Sequence, residues 1–98
     1  MKNLIGKQIL TRCNMAGVWV GKVEGIDEKN GKLQLTEAYR LWNWQAKEGI
    51  SLSTVAVKGL IDGEIPTPVS SIYLHIADCY ELIEVTETAL QTIKNLSK

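Results

Sequence analysis

The chain contains no phenylalanine, and four other residue types are scarce: two arginines, two cysteines, two prolines and one histidine in 98 residues. Without phenylalanine, tryptophan and tyrosine must supply all the aromatic bulk. One histidine and two cysteines far apart in sequence, Cys13 and Cys79, give no zinc-type ligand spacing, so no metal site is expected. In a cytosolic chain these cysteines should be reduced, buried and inert. There is also no excess of charge of either sign: eleven basic residues balance eleven acidic ones. A protein that holds long nucleic acid by its phosphates usually carries a clear basic excess, so nucleic acid is not the expected partner. A small anionic ligand needs only one or two fixed cations and stays open. No apolar run approaches the roughly 18 residues of a membrane span. Met1-Lys2-Asn3 leads directly into a strand-like pattern with no signal peptide, so a cytosolic location is expected.

What is present is an ordinary globular composition, 45% apolar, expected to form one domain over residues 1–98. The first half reads as strands. Ile5 to Cys13 alternates loosely and ends before a turn at Asn14-Met15-Ala16-Gly17. Val18 to Ile26 follows, rich in β-branched residues, with Gly21 and Gly25 spaced as bulge or bend positions. Asn30-Gly31 is the strongest element of the next turn. Lys32 to Ala38 then alternates, with Leu33 and Leu35 on one side and Lys32, Gln34 and Thr36 on the other. Tyr39 to Trp44 either continues this strand or starts another.

The middle changes period. Leu52, Val55, Ala56 and Gly59 fall at helical spacing, Ser51 or Ser53 can cap the start, and Gly59 can end the helix. A strand is the alternative there, given the β-branched content. Asp62 to Pro68 is expected to be a loop, because its two prolines block a central strand. Ser71 to Ala77 turns Ile72, Leu74 and Ile76 inward, and Tyr80 to Val85 makes a last strand. Thr86 should cap a final helix from about Glu87 to Leu96, with Ala89, Leu90, Ile93 and Leu96 as its apolar stripe. The expected fold is therefore mostly β: a small SH3-like or Sm-like barrel of about five strands, with a short inserted helix and a C-terminal helix.

The densest chemistry lies at Arg40-Leu41-Trp42-Asn43-Trp44. If this stretch is one strand, Arg40, Trp42 and Trp44 share a face. A cation beside two indoles suits a nucleotide-type ligand with charge and a π-surface, whereas the plain role of tryptophan is to fill a core. Arg12 and Arg40 are candidate phosphate grips, because the guanidinium makes paired hydrogen bonds. The competing role is a structural pair with a carboxylate such as Glu37 or Asp78. Ser51 and Ser53 open the short helix and could present an anion site, or simply cap it. Trp19 should be core or subunit interface, and His75 should face outward. No nucleophile–base pair or carboxylate pair rises above chance, so neither catalysis nor a cofactor is expected. Val18, Trp19 and Val20 are consecutive, which a strand with one buried face cannot hide, so a homo-oligomer is expected.

Two resemblances add to this reading. Gly21-Lys22-Val23-Glu24-Gly25-Ile26-Asp27, followed by Asn30 and Leu35-Thr36-Glu37-Ala38, is similar to the first Sm motif, and Ile72 to Ile76 with Glu81 to Val85 is similar to the second. Asn30 sits one place early and the Arg-Gly pair of the second motif is missing, so the similarity implies fold rather than RNA binding. Over nearly the whole chain, Thr11-Arg12, Ala16-Gly17-Val18, Ala38 to Trp44 and Ser51-Leu52-Ser53 with Ala56 and Gly59 resemble a family of small bacteriophage proteins. That resemblance implies a phage or prophage origin and hence the host cytoplasm. By analogy with small phage proteins that sequester host immune nucleotides, the expected function is nucleotide-type binding without chemistry, through Arg12, Arg40, Trp42, Trp44, Ser51 and Ser53. The alternatives are a structural or protein-interaction module that forms homo-oligomers, or an Sm-like RNA binder.

Overall fold

The computed structural model describes residues 2–46 and 51–97. Its strands are β1 (Gln8–Cys13), β2 (Gly17–Asp27), β3 (Lys32–Arg40), β4 (Asn43–Ala46), β5 (Leu60–Glu64), β6 (Val69–His75) and β7 (Cys79–Glu84). The helices are α1 (Leu52–Lys58) and α2 (Glu87–Leu96), with short 3-10 turns at Lys2–Leu4 and Ile76–Asp78. Five strands form one antiparallel sheet in the order β6-β3-β2-β1-β7, and β4 pairs with β5 in a separate two-stranded sheet. The expected mostly-β architecture with an inserted and a C-terminal helix is the one observed.

The alternation of apolar residues sets two cores, one on each face of the sheet. Ile9, Cys13, Trp19, Val23, Leu33, Leu35, Ala38 and Leu74 pack together on one face, joined by partly buried turn and strand residues but by neither α-helix. A sheet face can bury itself in this way only by curling. The curl has visible causes: the β2–β3 ladder slips register at Val20/Lys22 and again at Val23/Gly25, near the expected bend positions Gly21 and Gly25. Across the first slip, Glu37 is the one described non-glycine residue with positive φ, and it lies in the stretch of β3 that carries the extra residue. On the other face, Leu10, Val20, Tyr39 and Leu41 meet Val55 of α1, Leu60 of β5, Ile65, and Leu90 and Ile93 of α2.

This arrangement corrects the argument drawn from Val18-Trp19-Val20. Trp19 is only 7% exposed on the curled face, Val20 is fully buried on the helical face, and Val18 packs partly against the same helical-face core. Both faces of β2 are covered within one chain, so this triplet makes no demand for a second subunit. A second correction falls at Asp62-Gly63-Glu64, expected as loop but paired with Gln45, Trp44 and Asn43 in the β4–β5 ladder. The irregular segment is only Ile65 to Pro68, where the prolines sit. A third concerns the N-terminal strand, which starts at Gln8 rather than Ile5.

The capping signals hold. Ser51 Oγ accepts from the Thr54 N–H at 3.2 Å to start α1, and Gly59 closes it. Thr86 Oγ1 accepts from the Ala89 N–H at 3.1 Å to start α2, with Glu87 in its first turn and Lys94 in its last. Both charges suit the helix dipole. In the β2–β3 turn the Asp27 carboxylate accepts from the Asn30 backbone and side-chain N–H groups at 3.1 and 2.8 Å. These bonds hold the Asp27 carboxyl below the usual carboxylate range. A lowered folded-state pKa gives stability that is present above the unfolded value, near 4, and lost as pH falls through the folded one. The difference in thermal midpoint between wild type and Asp27→Ala should therefore be constant above about pH 5 and shrink on acidification below it. A difference that stays flat down to the acid limit of folding would show that the turn bonds do not discriminate between charged and neutral Asp27.

Candidate functional site

The site grows from the β2–β3 ladder. Trp19 and Arg40 are cross-strand partners, so both project from the curled face, at its end. Immediately after Arg40 the chain leaves β3: the Leu41 N–H donates to Val18 O at 2.9 Å, and Leu41 is buried against the helical-face core. That inward Leu41 throws the next residue, Trp42, outward to 65% exposure. The Arg40 guanidinium carbon then lies 4.9 Å from the Trp42 ring centre and 5.7 Å from that of Trp19. Contacts of this kind contribute about 0.5–2 kcal/mol each. The Trp19 indole is fixed in turn, since its Nε1–H donates to Ala16 O at 2.9 Å.

Beneath the guanidinium lies Gly17, with φ of +87°. A side chain there is strained and its Cβ would come within 3.3 Å of Arg40 Nη2. The turn expected at Asn14 to Gly17 is thus the floor of the site as well as a connection. Among the described residues no carboxylate pairs with Arg40. Its planar face lies against indoles while its edge donors stay clear of them, an arrangement that arginine allows and lysine does not.

Beyond Trp42, a cleft of about 220 Å³ is lined by Trp42, Glu64, Ile65 and Pro66. A larger and more open one of about 450 Å³ runs along β4 and β5 between Asn43, Trp44, Gln45, Asp62, Gly63 and Glu64. Asp62 and Glu64 make this larger cleft acidic, and Glu64 also borders the cleft beside Trp42.

The other sequence candidates separate from this cluster. Arg12 is the ladder partner of Val18, one position from the Trp19–Arg40 pair, so it points to the opposite face of the sheet. There its Nε–H donates to Glu81 Oε1 at 3.0 Å, and its guanidinium lies 5.7 Å from the Tyr80 ring. The carboxylate is Glu81, neither Glu37 nor Asp78. Trp44 does not share a face with Trp42 beside Arg40, because the strand is broken at Leu41-Trp42. It sits in β4 opposite Gly63 and packs partly against the helical-face core. Ser51 Oγ is engaged with Ser53 Oγ at 3.1 Å and Thr54 Oγ1 at 2.9 Å, and no hydrogen bond joins either serine to Arg40. His75 is exposed, with Nε2 3.4 Å from Lys32 Nζ. Sequence reasoning missed Trp19 and Gly17 as neighbours of Arg40, although Gly17 falls in one of the family-like stretches and Trp19 directly follows it. It also missed that Cys13 and Cys79, 66 positions apart, are ladder neighbours.

Residues 6–93 match a family described as a domain of unknown function, DUF6948. The chain belongs to this family. No curated protein matches it. Among solved structures, the DUF6948 chain is similar in fold to the P. aerophilum SmAP1 heptamer, with 16% identity over 87% of this chain and 86% of that one and a TM-score of 0.57. A heptameric archaeal Sm protein gives the same identity and TM-score, over 87% of this chain and 94% of that one. The fold is therefore Sm-like, with α1, β4 and β5 inserted between the β3 and β6 strands of the main sheet. No helix among the described residues is long and apolar enough to cross a membrane.

Proposed function

We propose that this DUF6948 protein is a homo-oligomeric, phage-encoded binding module that sequesters a nucleotide-type small molecule without altering it. The observation that carries the binding role is the Arg40 guanidinium, without a carboxylate partner among the described residues, held against an exposed Trp42 ring. Stacking on Trp42 supplies sequence-tolerant contact with a base, and the free edge of Arg40 supplies paired hydrogen bonds to a phosphate. Assembly is supported by the sheet order. Both edge strands, β6 and β7, carry unpaired backbone groups, and each presents an exposed tyrosine, Tyr73 at 65% and Tyr80 at 59%. Pairing β6 of one copy with β7 of the next is a head-to-tail contact, which closes into a ring when the rotation permits. The two solved neighbours are heptamers.

Light scattering at micromolar concentration is expected to give several times the 10.9 kDa chain mass. Isothermal titration is expected to show binding to a cyclic dinucleotide or a cyclic ADP-ribose isomer, with intact ligand recovered after heat release. A monomeric mass would refute the assembly. Binding only to short RNA, with a steep loss at higher salt, would replace the small-molecule reading by an RNA one. No binding to any of them would leave a structural module.

A further inference from the structure

We propose that Cys13 and Cys79 are a reversible redox modification site, which a low-molecular-weight disulfide converts into a bond stapling β1 to the edge strand β7. The two residues are ladder partners at the register shift beside Arg12, and their Sγ atoms lie 3.6 Å apart. Directly opposed residues of an antiparallel pair have Cα atoms about 4.5–5.5 Å apart, within the span of about 4.4–6.8 Å that disulfides bridge. From a separation of 3.6 Å the two sulfurs need only a small displacement to bond. The surroundings fix this corner from several sides. Cys79 Sγ–H donates to His75 O at 3.3 Å, the Asn14 N–H donates to Asp78 O at 3.1 Å, and the Met15 N–H reaches both carboxylate oxygens of Asp78 at 3.2 Å.

The environments assign different roles to the two sulfurs. Cys79 is half-buried, whereas Cys13 is buried and its thiol is pushed up to about 12 by burial and then by the neighbouring Cys79. Cys79 is the sulfur that an outside reagent meets. After losing its proton, its thiolate attacks one sulfur of the low-molecular-weight disulfide. A mixed disulfide forms at Cys79 and one small thiolate leaves. Cys13 then gives up its proton and its sulfur attacks Cys79 Sγ. The Cys13–Cys79 bond forms and the second small thiolate leaves, each thiolate taking up one proton. The protein loses two electrons and two protons, and the small disulfide becomes two thiols. Cys13 is also the ladder partner of Gly17, so the staple anchors the turn beneath Arg40. The thiol chemistry requires neither the ligand nor the assembly proposed above.

The full chain should be exposed to oxidised glutathione, then alkylated with iodoacetamide and weighed without reductant. The expected product is a single chain lighter by two hydrogens and carrying no alkyl group, restored to two alkylatable thiols by dithiothreitol. Cys13→Ser should accumulate one glutathione at Cys79. Cys79→Ser should react roughly tenfold or more slowly, because the remaining thiol is buried. Two alkyl groups on the wild-type chain, or disulfides only between chains, would overturn the staple. Equal rates in the two variants would overturn the order of attack. Wild-type alkylation decides the first point even if a serine variant fails to fold.

Discussion

Gly59→Ala is expected to destabilise the protein by about 2–5 kcal/mol, more than most single changes outside a core. Gly59 ends α1 with φ 87° and ψ −161°, a region essentially confined to glycine, where another residue costs about 1–3 kcal/mol. An added Cβ also collides with Thr92 Oγ1 and approaches the Ala89 Cα at 3.1 Å. Thr92 cannot swing aside without loss: its hydroxyl donates to Ala89 O at 2.7 Å and accepts from the Leu60 N–H at 3.0 Å. Overpacking of this sort costs a further 1–3 kcal/mol or so. The geometry makes a second, sharper demand. In a Thr92→Ala background the collision with the threonine should disappear while the backbone strain and the approach to the Ala89 Cα remain, so the two changes should destabilise by less than their sum. Urea titrations of the four proteins check this. A loss within about 0.5 kcal/mol for Gly59→Ala, or strict additivity, would mean that α1 and α2 do not meet at this junction as described.

The helix ends at that junction were legible in the sequence because their signals are local, whereas the meeting of Gly59 with Thr92 was not. Ser51, Gly59 and Thr86 stand at helix ends for reasons a few residues long, and the two helices begin and end as their caps require. The alternation of Leu33 and Leu35 was equally plain, and both are fully buried. What could not be read was whatever depends on pairing at long range. Asp62-Gly63-Glu64 looks like a turn on its own and becomes a strand only because β4 lies beside it. Arg12 pairs with Glu81, and Cys13 meets Cys79, because β7 returns to the free edge of β1. Neither event has a local signature. The site was half legible for the same reason. Proximity of Arg40 to Trp42 survives whether or not the strand is continuous. The placement of Trp44 beside Arg40 depended on an unbroken strand and failed once Leu41 turned into the core.

The tryptophans now make opposite predictions, and together they test the site more sharply than either alone. Trp19→Ala removes a ring that is 7% exposed within the curled-face core, and should cost about 3–5 kcal/mol of stability. Trp42→Ala removes a ring that is 65% exposed, and should leave folding stability within about 1 kcal/mol of wild type. For binding, the order inverts among variants that fold. Trp42→Ala should weaken the affinity for the nucleotide that titrates best by about 1–3 kcal/mol, roughly five- to 150-fold. Arg40→Lys adds the control for geometry. It keeps the charge but gives up the flat face that lies 4.9 Å from the Trp42 ring and the fork of donors at its edge. If the guanidinium plane is what the site uses, Arg40→Lys should lose nearly as much affinity as Arg40→Ala, while the protein stays folded. Affinity retained in Arg40→Lys and lost only in Arg40→Ala would reduce the site to a point charge. Unfolding of Trp42→Ala would make the exposed ring a structural element and remove the stacking platform on which the proposed binding depends.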